Sequence, residues 1–126
     1  MRVILGIVLL VHAVAHLPGF LSDWRLATLK ELPYKTTLVG GFDVGPTGIR
    51  FIGALWLLAA LAFGMTALGV FVQARWWPAW LLGVSLASLV LCILGWPEAR
   101  LGIAVNVALL GALALVWQTH WSGLPA

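Results

Sequence analysis

Charge is what this sequence has least of: 9% of its 126 residues are Asp, Glu, Lys or Arg, whereas about a quarter of an ordinary soluble domain is charged. With 63% hydrophobic residues and a mean hydropathy of +1.08, a water-soluble globule is excluded. One cysteine, Cys92, excludes an intrachain disulfide. The basic residues form no cluster, so the net charge of +3 and the pI near 9.8 do not describe a nucleic-acid surface. A P-loop, a dinucleotide fingerprint, a Gly-x-Ser-x-Gly elbow, a CxxC pair and an HExxH helix are all missing. The apolar stretches do not alternate at period two, which excludes a transmembrane β-barrel and leaves helices as the way to satisfy the backbone in lipid.

The charged residues are Arg2, Asp23, Arg25, Lys30, Glu31, Lys35, Asp43, Arg50, Arg75, Glu98 and Arg100. Between them lie the charge-free stretches 3–22, 51–74, 76–97 and 101–126, each able to hold the roughly 20 apolar residues that cross a bilayer core. The expected fold is a single all-α domain, an integral membrane antiparallel four-helix bundle with spans at about 3–21, 49–72, 79–94 and 101–117. Arg2, the apolar run after it and Ala13-Val14-Ala15 imitate a cleavable signal peptide, but the segment reads as the first span. The long polar loop 22–48 is expected to open with a short interfacial helix, capped at Ser22 or Asp23 and ended by Pro33. Gly40-Gly41 and Gly45-Pro46-Thr47-Gly48 read as turns.

Tryptophan is abundant. Trp24 and Trp96 fall at one end of the spans and Trp76, Trp77, Trp80, Trp117 and Trp121 at the other, the pattern of an interfacial belt. Trp56 alone falls inside a span and is expected to line the interior. Arg25, Lys30, Lys35, Arg50 and Arg100 outweigh Arg2 and Arg75, which favours a cytoplasmic long loop with both termini outside.

Polar residues inside the spans are costly and mark the places to look for function. His12 and His16 stand one helical turn apart on one face. Ser85, Ser88, Cys92 and Gly95 form a small-residue stripe that suits close helix packing. The topology brings His16, Asp43, Arg50, Glu98, Arg100 and Asn106 toward one membrane face, which predicts a pocket there with Arg50 pairing Glu98 or Asp43. Two histidines need a third ligand to hold a metal, and His120 lies near the opposite face, so neither a metal site nor bis-histidine haem is expected. The residues imply no particular cofactor.

The run Arg2-Val3-Ile4-Leu5-Gly6-Ile7-Val8-Leu9-Leu10-Val11-His12-Ala13-Val14-Ala15-His16-Leu17-Pro18-Gly19-Phe20 resembles the first helix of DoxX-like membrane proteins, and residues 53–61 resemble their second. The resemblance implies a four-helix bundle linked to quinone-associated redox or detoxification systems, in a bacterial inner membrane. Three functions fit. The first is binding of a lipophilic, quinone-like small molecule, with Asn106, Arg50, Asp43 and Trp56 as contacts. The second is an isomerase or epoxide hydrolase acting on a lipophilic substrate, with His16, Glu98 and His12 as acid–base groups. The third is a structural subunit of a homo-oligomer or larger membrane complex. Membrane lipids are partners in all three.

Overall fold

The computed structural model describes residues 2–121, and the side chains of residues 2–118. The side chains of His120 and Trp121, weighed above as a haem ligand and a belt residue, lie outside the described residues. Four helical segments are long and apolar enough to cross a membrane: Arg2–Asp23, Gly45–Phe71, Trp77–Leu94 and Arg100–Gln118. The first is two helices in tandem, α1 (Arg2–Ala15) and α2 (Leu17–Asp23). A two-residue hairpin follows, β1 (Thr37–Leu38) against β2 (Phe42–Asp43). Then come α3 (Gly45–Phe71), α4 (Trp77–Leu94) and α5 (Arg100–Trp121).

Proline sets where three of these helices begin. Pro18, Pro46 and Pro78 each sit in the first turn of a helix, where a missing N–H costs nothing. Pro46 therefore opens α3, and the Gly45–Gly48 segment read as a turn is helical. At 27 residues α3 is about 40 Å long and reaches past the apolar core of a bilayer.

The expected interfacial helix after Ser22 does not form. Helix α2 runs on to Asp23, the Trp24 N–H closes it by bonding back to Phe20, and Arg25 turns the chain at φ 56°. A left-handed residue cannot continue a helix, and residues 24–36 are turns and irregular chain.

Helices α1 and α2 pack on α3, α3 on α4, and α4 on α5, so the chain winds once round the bundle. A dry core of Leu9, Phe63, Ala67, Val70, Leu81 and Leu113 fills the half nearer the 72–76 turn. The outer faces keep apolar side chains such as Val11, Leu61, Leu68 and Leu115 exposed, as a lipid-facing surface requires. The other half, toward the long loop, is not filled, and the polar residues gather there.

Candidate functional site

The kink between α1 and α2 builds the site. Pro18 has no N–H and its ring crowds the carbonyl one turn back. At the bend the His16 N–H bonds to Ala13 at 3.1 Å, one residue short of the helical partner. That leaves the His12 carbonyl without its usual donor, and such a group is expensive in lipid. The His16 side chain supplies the replacement: Nδ1 lies 2.7 Å from the His12 carbonyl oxygen.

The opposite edge of the ring reaches α4. The Ser88 hydroxyl and His16 Nε2 are 2.5 Å apart, and Asn106 Nδ2 on α5 donates to Ser88 Oγ at 2.9 Å. Asn106 Oδ1 lies 3.1 Å from His12 Nε2, which closes a ring of hydrogen bonds through three helices. A further Asn106 contact goes to Cys92 Sγ at 3.6 Å. Both imidazoles rest on aromatics of α3, with His12 4.7 Å and His16 5.1 Å from the Phe63 ring and His16 5.3 Å from Trp56. The ring is sealed from outside: Asn106 and Ser88 are fully buried, and His16 is 2% exposed.

Beside this ring lies a cavity of about 260 Å³. His12, Ala15, His16, Gly19 and Asp23 line it from α1 and α2, Ile52 and Trp56 from α3, and Cys92 from α4. Leu101, Gly102 and Val105 of α5 complete the wall. Gly19 is needed there, because a Cβ would stand 2.7 Å from the Trp56 ring. Gly102 likewise lets α5 close on α4, since a Cβ would meet Cys92 Sγ at 2.5 Å.

Part of the long loop roofs the cavity with Leu32, Pro33, Lys35, Thr37 and Leu38. Three clasps hold it down. Ser22 Oγ donates to the Leu32 carbonyl at 2.8 Å, Lys35 Nζ reaches both Glu98 oxygens at 2.7 Å, and the Val39 N–H bonds to the Leu94 carbonyl at 2.8 Å. The two hydrogen bonds from Lys35 hold the Glu98 carboxyl below its usual range.

Of the residues singled out from the sequence, His12, His16, Trp56 and Glu98 line the cavity, and Asn106 stands behind His12 in the sealed ring. Arg50 and Asp43 do not belong to it. Arg50 is exposed and lies over the Trp24 ring at 4.3 Å, while Trp24 Nε1 donates to the Arg50 carbonyl. Asp43 is exposed and accepts from Thr36 Oγ1 and the Gly45 N–H, bonds that pull its pKa down. The expected ion pair of Arg50 with Glu98 or Asp43 is replaced by Lys35–Glu98 at 2.7 Å. The Ser85, Ser88, Cys92 and Gly95 stripe faces inward, and Ser88 and Cys92 bond rather than merely pack. Among the described residues no group of three His, Cys, Asp or Glu stands close enough to hold a metal ion.

Asp23 and Lys35 were missed. Asp23 follows His12, His16 and Gly19 on one helical face, a spacing readable in the sequence only if the helix is carried through Pro18. Nothing in the sequence pairs Lys35 with Glu98, because that contact depends on the path of the irregular loop. Comparisons with protein-family models, with curated proteins and with solved structures found no match for this chain.

Proposed function

We propose that this chain is an intramembrane binding protein for a lipophilic, quinone-like small molecule, and that it works in a bacterial inner membrane as the resemblance to DoxX-like proteins implies. The observation that carries the reading is the cavity of about 260 Å³, walled mostly by apolar side chains and roofed by a clasped loop. Pockets for drug-sized ligands run from about 300 Å³ upward, so this one suits a ring-sized head whose tail lies elsewhere.

The acid–base enzyme is the weaker reading on this geometry. A general acid or base must reach the proton it moves. Both His16 nitrogens are engaged by the protein and Glu98 is held by Lys35, so of the three expected acid–base groups only His12 keeps an unengaged nitrogen. Ser88 and His16 have the spacing of a nucleophile and its base, but Ser88 is fully buried.

Native mass spectrometry of the protein released from its own membranes tests binding directly. The expected result is a small lipophilic adduct on the wild type that disappears in Ile52→Trp, which fills the cavity, while helix content by circular dichroism is unchanged. A wild-type protein carrying no adduct, or one that persists in Ile52→Trp, would sink the proposal.

A further inference from the structure

The hydrogen-bond ring determines where its protons sit. For neutral imidazoles, each ring has one N–H and one lone pair. The partner of His16 Nδ1 is a carbonyl oxygen, which only accepts, so Nδ1 carries the hydrogen and Nε2 the lone pair. The Ser88 hydroxyl must then donate to Nε2. With its only hydrogen spent, Ser88 Oγ accepts from Asn106, which turns the amide NH₂ toward Ser88 and the amide oxygen toward His12. That oxygen only accepts, so His12 Nε2 carries the hydrogen and His12 Nδ1 is left with a lone pair.

His12 Nδ1 has no hydrogen-bond partner among the described residues. It is not a sealed atom either, because Ser85 Oγ is the one fully buried side-chain polar atom lacking a partner among them. His12 is 94% buried, leaving 6% exposed, and the space it lines is the cavity. The unmatched acceptor thus belongs to a residue that lines the membrane-embedded end of the cavity, where a missing hydrogen bond is costly.

The walls indicate how a ligand extends from that point. The roof is clasped, and successive helices pack tightly round the bundle, which leaves the seam between α5 and α1 as the loosest. Cavity residues Ala15, Leu101 and Val105 are exposed along this seam.

We propose that the ligand is a hydroxyl-bearing amphiphile, a phenol or alcohol, whose O–H donates to His12 Nδ1 and whose apolar tail leaves through the α5–α1 seam into the bilayer. The inference rests on the binding function proposed above and narrows it. A quinone or ketone carbonyl would set one acceptor against another at this point, whereas the reduced, hydroxyl form of the same ring would be held.

The test uses 4-octylphenol and its methyl ether as probes on the full chain in lipid nanodiscs, with ¹⁵N-labelled histidine. The phenol is expected to bind about tenfold tighter than the ether, the ratio one net hydrogen bond supplies, and to move the His12 Nδ1 resonance, which the ether leaves in place. In His12→Phe the preference should vanish. Should that variant not fold, the wild-type resonance decides. Equal binding of the two probes with an unmoved Nδ1 signal would overturn the hydroxyl assignment and leave the binding function standing. If neither probe binds, both fall.

Discussion

At the residue scale, the polar groups inside the spans divide by whether they have a partner. Ser88 gives one hydrogen bond and takes another, joining α1, α4 and α5. Ser85, one turn away on the same helix, is equally buried, yet its hydroxyl bonds to nothing among the described residues. Truncation should separate them. Ser88→Ala leaves a His16 lone pair and an Asn106 N–H unmatched and is expected to destabilise the bundle by about 1–3 kcal/mol. Ser85→Ala removes an oxygen that already lacks a partner, so it should be neutral or stabilise by up to about 1 kcal/mol. Reversible unfolding in mixed micelles measures both. Equal losses for the two serines would show that the ring adds nothing beyond packing.

At the scale of elements, the kink and the roof do different jobs. The kink at His16 places imidazole edges against α4 and α5, and α2 beyond it carries Gly19 and Asp23 along the cavity. The roof is a loop, ordered by clasps and by a hairpin whose Asp43 also bonds the first N–H of α3. Its ion pair makes the roof pH-dependent. The Glu98 carboxyl titrates below its ordinary value of 4.5 because Lys35 bonds to both oxygens. A depressed folded pKa contributes stability in full above the ordinary value, and that stability is lost as pH falls through the lower one. The Lys35–Glu98 clasp is therefore closed at neutral pH and opens in acid below about pH 4.5. A nitroxide on Phe42→Cys, an exposed site in a chain whose own Cys92 is buried, should gain mobility as pH drops through that window. In Lys35→Met the label should already be mobile at neutral pH. A label whose motion ignores both pH and Lys35 would show that the other clasps suffice.

For the whole molecule, the asymmetry between the two halves of the bundle matters most. Toward the 72–76 turn the helices share a dry core; toward the long loop they enclose a cavity, roofed on the water side and loosest between α5 and α1. On the proposed binding function, the ligand would enter from lipid. Val105→Trp puts a large ring into the seam at a position already exposed, so folding should be unaffected while uptake of 4-octylphenol from nanodisc lipid slows at least tenfold. Stopped-flow fluorescence measures the rate. Uptake as fast as in the wild type would move the entrance to the roof.

The four spans, their antiparallel order and the inward turn of His12 and His16 were legible in the sequence. Each follows from a bulk rule: uninterrupted apolar length demands a crossing, and an ionisable group in lipid turns away from it. The gathering of His16 and Asn106 toward one membrane face followed from the same topology. Tertiary structure alone decided the rest. It sent Lys35 rather than Arg50 to Glu98, left Arg50 on Trp24, kept Asp43 at the head of α3, and made residues 24–36 irregular chain, its later part roofing the cavity, instead of an interfacial helix. Those outcomes hang on single torsions, such as Arg25 at φ 56°, and on which of several charges an irregular loop brings within hydrogen-bond distance. Such choices differ by no more than a kcal/mol or so per contact, a margin that neither periodicity nor composition registers.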